Sequence, residues 1–374
     1  MQKFHSVDGL RGWLACLVVL YHTVQMSGAH LLVGGAYSYF SVFGDGSVTV
    51  FIIVSGFLIT HLILSKPEPY LAYLSRRFMR LFPVFAVCCV AGVIVLTYAR
   101  TAVPMSDLYT WPEHLLDWSD AQEQNFWGHL LAHATMLHGA VPNCILPEAQ
   151  FAFLPSAWSV SLAWQFYIVA PLVVWLIRSK HWGSSLISAL VVFGLAGYSR
   201  VLSSQYGLPS FLPAAGQYFL IGIATRLFCK EGMFSAPAAL GLASLGLGFL
   251  LDQFAIGVWV GFVAYLFCQR NSTDPWNRRY IDMADGALLN RTSLYLGSRT
   301  YTIYLAHYPV LITVLTLLAV LGVHKPGLVA LGLVLLGWPL TIAAAECLSR
   351  FVEEPGMRFG RKLTARRATV IQHP

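Results

Sequence analysis

Apolar residues recur along the whole chain in runs of membrane-spanning length, and short polar segments separate the runs. A helix of about 20 apolar residues spans the hydrocarbon core of a bilayer, and it satisfies its own backbone hydrogen bonds there. The pattern therefore predicts an all-α, polytopic membrane helix bundle with about ten transmembrane helices. The predicted helices lie near 10–27, 47–64, 82–99, 158–177, 184–200, 212–228, 236–251, 254–268, 300–321 and 327–348.

The distribution of positive charge predicts the orientation of these helices. With the N-terminus inside, all but three of the 24 lysines and arginines fall in or beside inner loops, the exceptions being Arg100, Arg200 and Lys325. Cytoplasmic loops are enriched in these residues, so both termini are predicted to be cytoplasmic. The net charge of +7 then reflects topology, and no nucleic-acid partner is expected. A chain that is 57% hydrophobic and 11% charged is also unlike a soluble protein.

Residues 1–355 are predicted to form one transmembrane domain, and residues 356–374 a basic cytoplasmic tail with a frayed end. One outer connection, 101–157, is far longer than the others. Loops of this length are usually functional or disordered, and its aromatic residues argue against disorder. It is predicted to be a long extracytoplasmic or re-entrant segment, in which 126–137 forms an interfacial helix.

An arginine and a histidine stand near the two ends of the first apolar run. Arg11 and His22 are eleven residues apart, which in a helix is roughly 20° beyond three full turns and about 16 Å of rise. Both side chains therefore lie on one helix face, with Arg11 at the cytoplasmic mouth and His22 deep in the membrane toward the outer side. Separately, Arg11 could be a snorkelling anchor and His22 a core histidine. Together, they favour a functional pathway through the helices.

Six stretches, in order along the chain, resemble the acyltransferase-3 family of integral membrane O-acyltransferases, in particular its bacterial surface-glycan O-acetyltransferases. The first is SVDGLRGWLACLVVLYH, in which ten residues separate the arginine from the histidine. The others are VFIIVSGFLIT (50–60), RRFMRLFP (76–83), WSVSLAWQFYIVAP (158–171), SRTYTIYLAHYPV (298–310) and RFVEEP (350–355).

The resemblance implies a multi-pass enzyme of the bacterial cytoplasmic membrane. It would move an acetyl or other acyl group from cytoplasmic acetyl-CoA to a hydroxyl of an extracytoplasmic or lipid-linked glycan, such as exopolysaccharide, O-antigen or capsule. His22 is the expected catalytic residue, either as a general base or as an acylated intermediate. Arginines at a helix start suit the phosphates of coenzyme A. The expected donor-binding residues are Arg11, Arg76, Arg77, Arg80 and, lining the channel, His307.

The expected partners on the acceptor side are membrane lipid and the glycan or lipid-linked saccharide. Some family members carry an appended soluble hydrolase-like domain. For this chain, a separate extracytoplasmic partner chain is expected to supply such a domain. His129 and His133 have a spacing that can bind a metal, but no adjacent glutamate completes a known pattern, so no metal is expected. The residues assigned to the acceptor are Asp45, His138, Trp158, Ser159, Gln165 and Tyr167.

Ala163 stands where the family motif has a glutamate, and the motif residues around it match. A carboxylate at this position could orient or stabilise a protonated histidine, and alanine can do neither. Three interpretations follow. The chain is an inactivated variant, another acid such as Asp8, Asp45 or Glu148 takes over, or this branch needs none. The first is favoured.

Two other functions remain open from the sequence. One is acylation of a small secondary metabolite, and the other is a transporter or flippase of a polar solute. Against a transporter, the chain shows no paired halves with interrupted helices. Two polar features are interpreted as structural. "VSGFL" around Ser55 is expected to be helix packing through Gly56, and Glu346 is expected to pair with Arg350.

Overall fold

The computed structural model describes residues 4–29, 36–102, 118, 120–178, 205–206, 208–231, 252–270 and 274–371. Within these ranges the regular secondary structure is entirely helical. The α-helices are α1 His5–Met26, α2 Ala36–Ser65, α3 Tyr70–Ala102, α4 Phe126–Ala134, α5 Trp158–Arg178, α6 Leu212–Glu231, α7 Gln253–Arg270, α8 Pro275–Leu288, α9 Arg291–Ser298, α10 Thr300–Val320, α11 Pro326–Gly332, α12 Trp338–Leu348 and α13 Glu354–Ile371. Short 3₁₀ turns cover His138–Ala140 and Pro155–Ala157, and π-helical turns cover Leu333–Gly337 and Ser349–Glu353.

Five helical segments of the described chain are long and apolar enough to cross a membrane. They are Ser41–Ser65, Tyr70–Thr101, Pro155–Arg178, Thr300–Val320 and Pro326–Thr364. The spans predicted near 10–27, 212–228 and 254–268 are helices in the structure, but they are not among these five. The spans predicted at 184–200 and 236–251 lie outside the described residues. The all-helical membrane class is thus confirmed, while ten spans and cytoplasmic termini stay predictions.

Helix α10 lies at the centre of the bundle. It packs against α1, α3 and α12, and 78% of its most apolar stretch is buried inside the protein. Around it, one apolar cluster joins α1, α3, α5 and α10, and a second joins α2, α5, α6 and α7. The arrangement brings residues of seven helices, α1, α2, α3, α5, α6, α9 and α10, to one cavity.

Glycines let α2 and α6 approach each other at backbone distance. A Cβ atom on Gly56 would lie 2.3 Å from the carbonyl oxygen of Phe219, and one on Gly222 would lie 2.0 Å from the carbonyl oxygen of Ile53. Small residues at a helix interface permit such approach in membrane proteins. The expected packing role of Gly56 is confirmed.

The chain after 353 continues as the helix α13, whose first part packs against α3. Thr364 is buried and its Oγ1 accepts a hydrogen bond from Arg76 Nε at 3.0 Å. Gly360 lies against Met79, where a Cβ would come within 2.9 Å of that side chain. Small residues on α13 thus give residues 354–364 a helical face that fits α3, and the basic tail with a frayed end stays a prediction.

The outer segment 101–157 is folded where the structure describes it, from 120 onward; residues 103–117 lie outside the described ranges. Met136 and Leu154 are fully buried, and Arg100 pairs with Asp120 at 2.8 Å and Glu123 at 3.1 Å. The segment ends at the 3₁₀ turn that begins α5, and so it orients that helix toward the cavity.

Candidate active site

A cavity of about 520 Å³ lies between helices α1, α2, α3, α5, α6, α9 and α10. Three arginines line it, namely Arg11 from α1 and Arg77 and Arg80 from α3. Asp8 is the one carboxylate among its described lining residues, and it lies 3.8 Å from Arg11 Nη1. The Nε of Arg77 is buried and has no hydrogen-bond partner among the described residues. An excess of positive charge with an unused donor suits an anionic ligand.

Glu353, which was not among the predicted site residues, is a further charged residue near this cavity. It is buried in the π-helical turn Ser349–Glu353, close enough to Arg11 and Arg80 for electrostatic interaction. Such turns are frequent at functional sites. The available signal was its place in RFVEEP, one of the stretches that resemble the family.

One face of α5 forms a wall of the cavity through Ser159, Ala163 and Tyr167. These residues are four apart, so they stack along the helix. Ser159 Oγ donates a hydrogen bond to the hydroxyl of Tyr304 at 2.8 Å. Ala163, the position of the family glutamate, lies between a hydroxyl pair and a tyrosine that is near Arg11. A carboxylate here would face the cavity.

His22 lies beside the end of this cavity and pairs with His307. The two imidazole rings stack with centroids 5.2 Å apart and planes 28° apart. The Nδ1 of His22 is 3.0 Å from Gln25 Oε1. Because an amide oxygen can only accept, Nδ1 carries the proton, and Nε2 presents its lone pair. This is the tautomer that a general base requires at Nε2.

His307 and Tyr304 connect the cavity to His22. Tyr304 lines the cavity, and its ring centroid is 5.8 Å from that of His307. His307 is fully buried, and neither ring nitrogen has a hydrogen-bond partner among the described residues. From the cavity inward, the side chains therefore follow one another in the order Tyr304, His307 and His22. Arg11 lines the cavity as its position on α1 predicts, whereas His22 and His307 lie behind Tyr304 and do not line it.

Arg76 points away from the cavity, unlike Arg77 and Arg80. It pairs with Glu68 at 2.8 Å and donates to Thr364 on α13. These contacts indicate that Arg76 holds α13 against α3. Of the three α3 arginines expected to bind the donor, only Arg77 and Arg80 line the cavity.

Gln165 is also used structurally. Its Nε2 donates to Ser161 Oγ at 3.3 Å and to the Ser210 carbonyl at 2.9 Å, and its Oε1 accepts from the Leu212 amide at 2.9 Å. These bonds join α5 to the start of α6, and they use both amide hydrogens of Gln165; its role toward the acceptor stays a prediction. Trp158 packs between the two apolar clusters.

Asp45 lies on α2 one residue after Gly44, which packs on the side chain of Tyr21, the neighbour of His22. It is exposed, and it is near Asp252 at the start of α7. The contact of Gly44 with Tyr21 places this part of α2 beside the part of α1 that carries His22.

His138 lies apart from the cavity, in a buried cluster with His129 and His133. The rings of His133 and His138 stack with centroids 4.1 Å apart, and Phe85 stacks on both. Burial lowers the pKa of His133 to about 4 and lowers the pKa of His138 well below its usual value. In the described part of the chain, no group of histidines, cysteines or acids is arranged to hold a metal. Parallel stacked rings indicate packing of neutral imidazoles.

Comparison with known proteins identifies the family. The family described as "Acyltransferase domain", of the acyltransferase-3 type, matches residues 4–346. O-acetyltransferase OatA of Staphylococcus aureus is 23% identical over 405 aligned residues, covering 96% of this chain and 58% of that protein. Acyltransferase MdmB of Streptomyces mycarofaciens is 24% identical over 261 residues, covering 65% of this chain and 62% of that protein.

The chain therefore spans about three fifths of the length of these curated relatives. No solved structure gives a significant match. Because the family match covers nearly the whole chain, this protein belongs to the acyltransferase-3 family.

Proposed function

We propose that the protein transfers an acetyl group from cytoplasmic acetyl-CoA to a hydroxyl of an extracytoplasmic or lipid-linked glycan at the bacterial cytoplasmic membrane. One observation carries the proposal. A single cavity has three arginines in its wall and reaches Tyr304, behind which His307 and His22 lie in series. The name of the relative OatA, an O-acetyltransferase, supports acetyl as the group.

The arginines would bind the phosphates of the donor. Arg11, Arg77 and Arg80 offer planar guanidinium groups in one wall, and Asp8 supplies the one opposing carboxylate among the described lining residues. Guanidinium groups bind phosphate oxygens in bidentate fashion, and partial burial strengthens the contact. The acyl arm would then extend along the α5 face to Tyr304, and for transfer the thioester would pass Tyr304 and His307 to reach His22.

His22 would act as the base that activates the acceptor. As the acceptor hydroxyl oxygen bonds to the thioester carbon, Nε2 takes the hydroxyl proton, which leaves an imidazolium. The carbon–sulfur bond then breaks, and the imidazolium returns the proton to the leaving thiolate. Gln25 holds the Nδ1 proton throughout, and the stacked His307 fixes the ring plane. The alternative, in which His22 is itself acylated, uses the same nitrogen.

Ala163 leaves the cavity without the carboxylate that the family motif supplies. A glutamate here would lie on the wall between Ser159 and Tyr167 and could stabilise positive charge that develops during transfer. Asp8 and Glu353 are the described carboxylates nearest Arg11, and both face arginines. We therefore propose that the chain with Ala163 is disabled in transfer and that Ala163→Glu restores it.

The test measures transfer of labelled acetyl from acetyl-CoA to polysaccharide and lipid-linked saccharide fractions of membranes that contain the protein. Four forms are compared, the chain itself and Ala163→Glu, each with and without His22→Ala. His324→Ala, which alters a histidine in the connection between α10 and α11, is the matched control.

Labelling by Ala163→Glu that His22→Ala abolishes and His324→Ala leaves unchanged is the expected result. Equal labelling by the chain and Ala163→Glu would contradict the disabled state but keep the donor and base assignments. Labelling that persists in His22→Ala would overturn the assignment of His22. No labelling by any form, with the protein folded and acceptor present, would overturn acetyl-CoA as the donor.

A further inference from the structure

A second cavity, of about 710 Å³, lies next to the cavity that contains the three arginines. Phe4 and His5, at the start of α1, line both cavities. The second cavity extends between α6, α7 and Leu289, which ends α8. The two cavities share wall residues at the end of α1 that carries Arg11, so they adjoin there, and a ligand that spanned both would pass Phe4 and His5.

A hydrogen bond between Arg226 and His61 links the two cavities. Arg226 lines the second cavity, and its Nε donates to Nδ1 of His61 at 3.0 Å, while His61 lines the first. Because Nδ1 accepts, Nε2 of the neutral ring carries a proton. This Nε2 is buried and has no acceptor among the described residues. A buried donor without an acceptor is costly, and an anionic ligand at the junction would satisfy it.

The rest of the second cavity combines aromatic rings with polar groups. Phe228, Tyr265 and Phe267 line it, and Phe267 is 60% exposed. Gln269 also lines it, and its Nε2 donates to the hydroxyl of Tyr265 at 2.6 Å. Exposed aromatic faces stack on nucleobases, and arginine binds phosphate and stacks on planar rings. This composition suits a nucleotide better than a wholly apolar ligand.

We infer that the second cavity binds the adenosine end of the acyl-CoA donor, with Arg226 and His61 at its 3′-phosphate, while the diphosphate next to the arm lies at the arginines of the first cavity. The inference rests on the proposed function and extends it. A thioester that reaches Tyr304 through the first cavity belongs to a narrow arm, so the broad nucleotide must lie outside that cavity. The adjoining cavity provides the space, the positive charge and the rings that this half of the donor needs.

The test measures equilibrium binding to the purified chain in nanodiscs of zwitterionic lipid. Three probes are used: acetyl-CoA, acetyl-4′-phosphopantetheine, which has the same arm without the nucleotide, and adenosine 3′,5′-bisphosphate, which is the nucleotide part without the arm. The variants are Arg226→Gln and Phe267→Ala. The latter alters an exposed side chain and so spares the fold. Arg358→Gln, at an exposed pair with Glu354, is the control.

Both variants are expected to raise the Kd of acetyl-CoA and of the bisphosphate about tenfold or more, while the Kd of acetyl-4′-phosphopantetheine changes by less than about twofold. Arg358→Gln should change none. Equal weakening of all three probes, or no weakening, would overturn the nucleotide site and leave acetyl-CoA as donor. Failure of the unmodified chain to bind acetyl-CoA would overturn the proposed function as well. The bisphosphate binding is measured again in nanodiscs that also contain anionic lipid. If the anionic lipid displaces the bisphosphate and neither variant changes the Kd of acetyl-CoA, the cavity binds a lipid headgroup instead.

Discussion

Neighbouring arginines of α3 have different surroundings, which indicate that two of them can bind a ligand and the third holds two helices together. Arg77 and Arg80 line the cavity, and Arg77 Nε has no partner among the described residues. Arg76, one residue earlier, has its charge neutralised by Glu68 and its Nε bonded to Thr364. One residue rotates a helical side chain by about 100°, which is enough to move it from the cavity wall to the contact with α13.

Substitution of these arginines should therefore give unequal effects on donor binding. Arg80→Gln is expected to raise the Kd of acetyl-CoA about tenfold or more, because a charge-assisted contact to phosphate is worth about 1.5–3 kcal/mol. Arg76→Gln, the matched control, should change that Kd by less than about threefold. Equilibrium binding of labelled acetyl-CoA to both purified variants checks this. An equal loss in the two would mean that the arginines act through the fold or through general positive charge.

Whole helices are positioned by backbone contacts that a sequence pattern shows only as glycines. Gly56 and Gly222 bring α2 and α6 together, which places residues of α2 such as Phe51 and Ser55 in the cavity wall. Gly257 on α7 looks equivalent in the sequence, yet no atom of the described residues lies within 4 Å of a Cβ built on it. Two helical glycines thus have opposite surroundings.

Alanine at these two glycines should have opposite effects on stability. Gly56→Ala is expected to lower the free energy of unfolding by about 1–3 kcal/mol, because its Cβ would overlap the Phe219 carbonyl and force the helices apart. Gly257→Ala should leave stability unchanged or raise it by up to about 1 kcal/mol, since alanine favours helix over glycine. Thermal unfolding of the purified protein in detergent measures both. Equal Tm values for the two variants would contradict the close α2–α6 contact.

At the scale of the whole molecule, the arginine cavity and the outer segment are expected to lie on opposite sides of the membrane. The positive-inside distribution places Arg11 and the α3 arginines inside and 101–157 outside. Cys144 is an exposed cysteine in that outer segment. Cys229 lines the second cavity, which the predicted topology places on the inner side.

A membrane-impermeant maleimide should therefore label Cys144 in intact spheroplasts. Cys144→Ser is expected to lose most of this labelling, since Cys88 and Cys89 are buried. Cys229 should react only after the membrane is permeabilised. Mass-spectrometric mapping of the labelled peptides measures both sites. Labelling of Cys229 before Cys144 in intact spheroplasts would reverse the predicted topology.

The family, the helical class and most helix positions follow from local features of the chain. Apolar run length determines where a membrane helix forms, and the ten-residue spacing places Arg11 and His22 on one face, because helix geometry is a property of the backbone. The alternation of Ser159, Ala163 and Tyr167 at four-residue intervals is predictable in the same way. So is the pairing of Glu346 with Arg350 one turn later, which the structure confirms.

The tertiary structure decided which of these helix faces meet, because that depends on packing between segments far apart in the sequence. Three results needed it: the stack of His22 on His307, the attachment of Arg76 to α13, and the burial of Glu353 beside Arg11. The sequence determined that a member of the acyltransferase-3 family carries an arginine and a histidine on one helix face. The fold decided that Tyr304 and His307 stand between that arginine's cavity and His22, since α10 fills the centre of the bundle.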